Sequence, residues 1–213
     1  MDDHFSASHS FAGPKRRLFL ALAAAMSAPR LALAQASPGE VVERFHATLI
    51  EVMRNARQLG VRGRFDRLRA TMEAAFDLPA MTRIAVGPSW TRMTPEQQAQ
   101  LVQAFSEWSI ATYASRFNGY SGESFAISGE TTLQSGDRLV RTTLNRVNDA
   151  PVQLNYLMRP GANGGWRIVD VYLTGTISEL ASRRSEFAAV LREGGAERLV
   201  GELRRRTAEL LQA

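Results

Sequence analysis

Residues able to do covalent or metal chemistry are scarce in this chain. It contains no cysteine, and after residue 36 its only histidine is His46. A structural zinc site or a thiol nucleophile therefore lacks the side chains it needs. No GxSxG, Walker A, GxGxxG or HExxH motif occurs either. The sequence argues against the common hydrolytic, phosphoryl-transfer and metal-dependent enzymes.

Two ionisable residues need an interpretation of their own. His46 lies within an amphipathic helical pattern, where a single histidine is expected to be a packing or surface residue rather than a base. Asp170 interrupts the apolar run IVDVY. It would be either the base of a small cone-shaped α+β enzyme or a structural group that pairs with an arginine or caps a backbone N–H. Because no second catalytic group accompanies it, the structural role is favoured.

Arg183 and Arg184 follow the last predicted strand. Such a pair can bind a lipid phosphate, although adjacent surface arginines more often remain solvated.

The first 36 residues have the pattern of an export signal. A basic Lys15-Arg16-Arg17 precedes nine apolar residues, 18–26, and small-residue cleavage patterns end at Ala34 and at Ala36. A membrane span needs about 20 apolar residues, which disfavours the alternative of a retained anchor. The arginine pair followed by Phe-Leu also fits twin-arginine export, so the ordinary secretory route and the twin-arginine route both stay open.

The predicted mature chain, residues 37–213, is long enough for one domain with a real core. It retains 22 basic and 19 acidic residues, a net charge of +3. Without a concentrated basic patch, nucleic acid is not an expected partner. A mild positive charge suits an anionic lipid headgroup or membrane surface.

Hydrophobic periodicity predicts an α+β fold. A period of 3.6 predicts N-terminal helices over residues 40–58, 65–76, 77–86 and 94–118. After Gly119 a period of two predicts an antiparallel meander sheet of about five strands, over residues 123–128, 131–135, 138–147, 152–159 and 165–173. C-terminal helices follow over residues 177–191 and 196–211. A sheet with one apolar face must be covered by helices, and a pocket between them is expected.

Short segments spread over almost the whole mature chain resemble the MlaC, or toluene-tolerance, family. They are residues 76–83 (FDLPAMTR), 87–90 (GPSW), 94–98 (TPEQQ), 112–115 (TYAS), 120–122 (YSG), 165–171 (GWRIVDV) and 175–178 (GTIS). Residues 176–180 (TISEL) and 183–187 (RRSEF) look most like its hopanoid-associated HpnM branch.

The resemblance implies a periplasmic lipid carrier that is not an enzyme. It would bind phospholipid or hopanoid in an apolar pocket, and it would need no cofactor besides that lipid. It would shuttle the lipid between the inner and outer membranes. The implied partners are an inner-membrane complex, either an ABC-type transport system or a hopanoid transporter, and an outer-membrane lipoprotein complex, with transient membrane contact by a monomer. The alternatives are the small enzyme using Asp170 and a non-catalytic envelope scaffold.

The resemblance also implies which residues would bind the lipid. The predicted set takes two residues from the long helix, then the inward faces of two neighbouring strands and a rim position: Tyr113, Phe117, Val152, Leu154, Tyr156, Trp166, Ile168, Val171, Leu173 and Thr176. In a regular strand alternate residues face opposite ways. Trp166, Ile168, Val171 and Leu173 can therefore share one face only if a bulge interrupts the strand, and without one some of them are misassigned.

Overall fold

A computed structural model describes residues 35–212 of the chain. Residues 1–34, which hold nearly all of the predicted signal peptide, lie outside the described residues. The helices are α1 Pro38–Arg54, α2 Ala56–Ala75, α3 Leu78–Val86, α4 Pro95–Arg116 and α5 Glu179–Leu210, with a 3-10 helix at Gly87–Arg92. The strands are β1 Ser124–Thr132, β2 Arg138–Asn145, β3 Val152–Pro160, β4 Trp166–Leu173 and β5 Ile177–Ser178. This order confirms the α+β prediction.

The first two helices begin earlier in the chain than predicted. Ser37 accepts a hydrogen bond from the Glu40 amide (3.3 Å), and the Glu40 carboxylate accepts one from the Ser37 amide (2.7 Å). This capping box starts α1 at Pro38. The predicted break at Gly60 is present within α2, where Gly60 has non-helical backbone with a φ of +59° and the element kinks.

The long helix α4 begins where the sequence predicts. Thr94 accepts from the Gln97 amide, and the Gln97 side chain accepts from the Thr94 amide. The helix packs against α2, α3 and α5. Its buried residues therefore lie on more than one side, as the spread of its apolar positions predicted.

The sheet is an open antiparallel meander in the order β1-β2-β3-β4-β5. The two short strands predicted over residues 123–128 and 131–135 are a single strand, β1, with a register shift between Ile127 and Gly129. That irregularity interrupts the alternation in the sequence and made one strand look like two. The fifth strand is instead Ile177–Ser178, in a segment that was predicted as helix.

A second irregularity in the sheet decides which way β4 presents its side chains. Leu157 pairs with Asp170 but Met158 pairs with Ile168, so Val169 is an extra residue. Four β4 residues were predicted to share one face of the sheet. They pair with every second residue of β3, which places all four on that face: Trp166, Ile168, Val171 and Leu173. The bulge thus resolves the parity conflict that the sequence raised.

The last helix covers the sheet and the long helix. The two predicted C-terminal helices follow each other directly as the two parts of α5, with non-helical backbone between them at Gly194 and Gly195. The glycine pair was the predicted separator, and Gly195 has a φ of +66°, so the element bends there. Between residues 35 and 212, no helix is both long and apolar enough to cross a membrane.

Candidate functional site

An apolar cavity of about 380 Å³ lies between the helices and the inner face of the sheet. This volume is within the range of roughly 300–1,000 Å³ that is usual for small-molecule sites. Its apolar wall is drawn from all five helices or their ends and from three strands: Met53, Met72, Phe76, Leu78, Met81, Phe105, Trp108, Tyr113, Phe117, Leu144, Val152, Leu154, Val171, Leu173 and Leu180. The three methionines give the wall side chains that can adjust to a ligand's shape.

The segment FDLPAMTR forms one side of the cavity, and Asp77 fixes it near its start. The Asp77 amide donates to the Ile168 carbonyl of β4 (2.9 Å), and the Asp77 carboxylate caps α3 at the Ala80 amide (2.9 Å). The strand contact and the cap hold Leu78 and Met81 against the cavity.

Aromatic side chains pack together beside the cavity. Phe45 is fully buried and makes edge-on contacts with Phe76 (5.0 Å between ring centroids) and Tyr113 (5.6 Å). Tyr113 also stacks on Phe117 at 5.6 Å. Interlocked rings of this kind contribute beyond the area they bury, so they hold Tyr113 and Phe117 in place.

Six of the ten residues predicted to bind lipid line this cavity: Tyr113, Phe117, Val152, Leu154, Val171 and Leu173. The other four do not. Tyr156 and Ile168 point to the same side of the sheet but lie deeper in the packed core, where they are at most 1% exposed. Trp166 is half-buried near Arg138, whose guanidinium lies 6.0 Å from its ring centroid, and Thr176 is exposed in the turn before β5.

Most of the helical wall was not predicted from the sequence. Phe76, Leu78 and Met81 lie within a segment that carried the family resemblance, which was the available signal for them. Met53 and Phe105 had no such signal, since an apolar helix position indicates burial but not whether it faces packed core or a cavity.

Charged groups lie where the cavity meets solvent. The Arg183 guanidinium lies over the Trp108 ring at 4.7 Å and pairs with Glu179 (3.3 Å) and Glu186 (3.2 Å). Arg146, after β2, pairs with Asp149 (3.0 Å) and donates to the Ala150 carbonyl. These two lining arginines are therefore already held by protein oxygens.

Arg116, the third arginine of the wall, is different. It is exposed at the end of α4, and it pairs with no carboxylate of residues 35–212. Tyr113, one turn earlier on α4, also lines the cavity, where it is half-buried, and its hydroxyl hydrogen-bonds to no side chain of the same span. Burial, reinforced by the charge of Glu179, raises the pKa of Tyr113, so this hydroxyl remains a donor.

His46 is a buried structural residue, as its helical setting predicted. It is 4% exposed, its Nε2 lies 3.0 Å from the Tyr156 hydroxyl, and its ring stacks on Phe125 at 3.9 Å. Desolvation lowers the pKa of His46 to about 3. The imidazole is therefore neutral at physiological pH. His46 is also not one of the residues that line the cavity.

The burial of His46 predicts a pH dependence of stability. The unfolded chain binds a proton at this residue below a pH of about 6.5, but the folded chain does so only near pH 3. Stability should therefore be complete above pH 6.5 and fall as pH drops towards 3, by up to about 1.4 kcal/mol per pH unit. In urea titrations at pH 7 and 4.5, His46→Gln should lose about 2 kcal/mol less than the wild type. Equal losses would contradict this account.

Asp170 also has a structural role. It is 7% exposed, and its carboxylate accepts from the Ser178 hydroxyl (2.6 Å) and from the amides of Val171 (2.8 Å) and Leu180 (3.2 Å). It thereby joins β4 to the start of α5 and caps backbone N–H groups, which is one of the two structural roles expected. Asp170 is not part of the cavity wall. Within residues 35–212, no three acidic or histidine side chains are grouped as a metal site requires.

Comparisons with a protein family and with solved structures agree with this geometry. Residues 43–205 match the family described as MlaC protein. The fold is also similar to the solved structure of a phospholipid-binding protein from Ralstonia solanacearum in complex with a phospholipid. The TM-score is 0.72 with 27% sequence identity, over 82% of this chain and 99% of that chain. No curated protein matches the sequence.

Proposed function

Since the chain belongs to the MlaC family, we propose that it is a lipid carrier that binds the acyl chains of a phospholipid in the cavity between helices and sheet. The observation that carries the proposal is an apolar cavity that opens to solvent beside charged groups. An acyl chain needs this shielding in water, where each exposed CH₂ costs about 0.8 kcal/mol. The similar Ralstonia solanacearum structure, which holds a phospholipid, supports the same cargo class.

The carrier acts in the periplasm after residues 1–36 are removed as a signal peptide. It exchanges its cargo with an inner-membrane transporter complex and an outer-membrane lipoprotein complex, and it works as a monomer. The family membership and the pattern of basic, apolar and small residues before Ala36 support this setting. Asp170 caps the start of α5, so the proposal assigns it no catalytic step.

A hopanoid is the second candidate cargo. The segments TISEL and RRSEF resemble the HpnM branch of the family. A hopanoid is a rigid polycycle, and three methionines in the wall could adapt to such a shape as well as to acyl chains. Lipid extraction from the purified protein separates the two cargoes by mass.

Cargo exchange is proposed to occur with the open end of the cavity against a bilayer. Among the large hydrophobic side chains of residues 35–212, Val147 (61%) and Ile177 (55%) are the most exposed to solvent. They lie in the β2–β3 turn and at the β5 end, and in an antiparallel meander both belong to one end of the sheet. Leu144, Arg146 and Leu173 of the cavity wall lie at the same end. Apolar tips beside arginine suit an anionic lipid surface.

This arrangement predicts the result of a transfer assay between vesicles. Small amounts of the protein should speed movement of a fluorescent phospholipid between phosphatidylethanolamine–phosphatidylglycerol vesicles. The double variant Val147→Asp with Ile177→Asp should slow this transfer about tenfold, because two apolar side chains no longer enter the bilayer. The amount of lipid bound at saturation should not change.

Ile127→Asp is the matched control, since Ile127 is 39% exposed on β1 and away from the cavity. It should transfer lipid at the wild-type rate. If the transfer rate with wild-type protein is no higher than the rate without protein, the carrier proposal is overturned. If Ile127→Asp slows transfer as much as the double variant does, the bilayer contact is overturned.

A further inference from the structure

The polar groups on the wall of the cavity differ in whether the protein already uses them. The lining carboxylates are both engaged: Glu179 pairs with Arg183, and Glu123 accepts from the Ser121 amide at 2.6 Å. Arg146 and Arg183 are engaged too, by Asp149 and by the two glutamates around Arg183. Thr112 donates to the Trp108 carbonyl. Within residues 35–212, the polar side chains of this wall that the protein leaves without a hydrogen bond or ion pair are Ser109, Tyr113, Arg116 and Asn118. Of these, the charged Arg116 and the packed Tyr113 are the two considered as a ligand site.

These two groups are arranged as a pair. Residues three apart on a helix are neighbours on its surface, about 5–6 Å apart between Cβ atoms. Arg116 is exposed at the last turn of α4, whereas Tyr113 lies one turn deeper and is held by stacking on Phe117 and by Phe45. A ligand that enters from solvent would meet the guanidinium at the opening and the hydroxyl just inside.

Their chemistry is that of two hydrogen-bond donors, one of them permanently charged. A guanidinium is suited to the oxygens of a phosphodiester, which it can bind through two parallel N–H groups. A neutral tyrosine hydroxyl can donate to an ester carbonyl, an uncharged acceptor. In a glycerophospholipid the phosphodiester and the acyl ester carbonyls are joined by the glycerol backbone, and the acyl chains continue from those carbonyls. A hydrocarbon hopanoid has neither group.

We propose that Arg116 and Tyr113 form a binding site for the glycerol-phosphate region of a diacyl glycerophospholipid, with Arg116 on the phosphodiester and Tyr113 on an ester carbonyl. This inference rests on the proposed function, because it requires the acyl chains to occupy the cavity. The proposal differs from the sequence analysis, which named Arg183 and Arg184 as the pair able to bind a lipid phosphate. Arg183 is held by two glutamates, and Arg184 is outside the cavity wall.

The phosphodiester contact is tested by comparing two ligands with identical chains. Competition against a fluorescent fatty acid gives the affinities of phosphatidylglycerol and of the diacylglycerol that lacks the phosphate. The wild type should prefer phosphatidylglycerol, and Arg116→Gln should lower that preference about tenfold, as loss of a charge-assisted hydrogen bond predicts. The wild-type preference should also weaken between 50 mM and 500 mM NaCl, because Arg116 is exposed.

Arg192→Gln is the matched control, because Arg192 is exposed on α5 and outside the cavity wall. It makes the same change in net charge and should keep the wild-type preference. If it lowers the preference as much as Arg116→Gln does, the effect is general electrostatics and the site is refuted. Glycerol phosphate without acyl chains, at 10 mM, should not compete. Strong competition by it would indicate a site for small phosphates rather than a lipid site.

The ester contact is tested with a diester phosphatidylglycerol and its diether analogue, which lacks the carbonyl oxygens. The wild type should bind the diester several-fold more tightly, and Tyr113→Phe, which removes only the hydroxyl, should bind both equally. A wild type that does not distinguish the two ligands would overturn the Tyr113 role. If diacylglycerol and phosphatidylglycerol both fail to bind the wild type, the proposed function itself fails, whereas binding of both without preference refutes only this site.

Discussion

Replacing Leu154 by arginine is expected to abolish lipid binding while the protein stays folded. Leu154 is 8% exposed and lines the cavity from β3, next to Val152 and across from Leu173. An arginine there fills the space with a long side chain and places a charge against the acyl chains, where it cannot be paired. The side chain can extend towards the open end of the cavity, so its charge remains hydrated in the lipid-free protein. Lipid recovered by organic extraction should fall at least tenfold.

The neighbouring position provides the control. Gln153 is exposed on the opposite face of the same strand. Gln153→Arg adds the same side chain at the next residue and should retain lipid at the wild-type level. Circular dichroism should show the wild-type helical signal for both variants. Wild-type lipid retention by Leu154→Arg would refute the assignment of this cavity as the lipid site.

Replacing Asp170 by alanine is expected to cause a large loss of stability. The change removes the acceptor of three hydrogen bonds and leaves the Leu180 amide and the Ser178 hydroxyl without their partner at the start of α5. A hydrogen bond to a charged group typically contributes about 1.5–3 kcal/mol, and such contributions overlap within one network. The free energy of unfolding in urea should fall by about 3 kcal/mol.

Two further variants interpret that loss. Asp170→Asn keeps an acceptor oxygen, so its stability should lie between those of the wild type and Asp170→Ala. Asp66 is exposed on α2, and Asp66→Ala should change stability by less than about 0.5 kcal/mol. If Asp170→Ala unfolds at the wild-type urea concentration, the carboxylate does not hold β4 to α5. The alternative role of Asp170 as a catalytic base would then be the one to test.

The element order was predictable because local signals dominate it. The Thr94 capping box and the change from a helical to a strand period at Gly119 are both contained within a few residues. The errors come from features in which the chain departs from regular geometry. A register shift before Gly129 divided β1 in the prediction, and the short strand β5 at Ile177–Ser178 was predicted as the start of a helix. Neither feature can be read from periodicity alone.

The cavity wall was only partly predictable for a related reason. The sequence identified the inward face of β3 and β4, and it identified the need for a bulge, but the bulge at Val169 is defined only by pairing with Leu157 and Met158. Whether an apolar side chain borders a cavity or fills the core depends on what packs opposite it. Leu154 and Tyr156 share one face of β3, yet only Leu154 reaches the cavity, since Phe45 and His46 contact Tyr156.

The central claim is that the cavity carries a lipid, and the most direct test is native mass spectrometry of the protein purified from the periplasm. Organic extraction and lipid identification follow on the same sample. We expect a discrete added mass equal to one phospholipid, with a hopanoid mass indicating the second candidate cargo. A bare protein mass, combined with no uptake of lipid from phospholipid vesicles, would contradict the account.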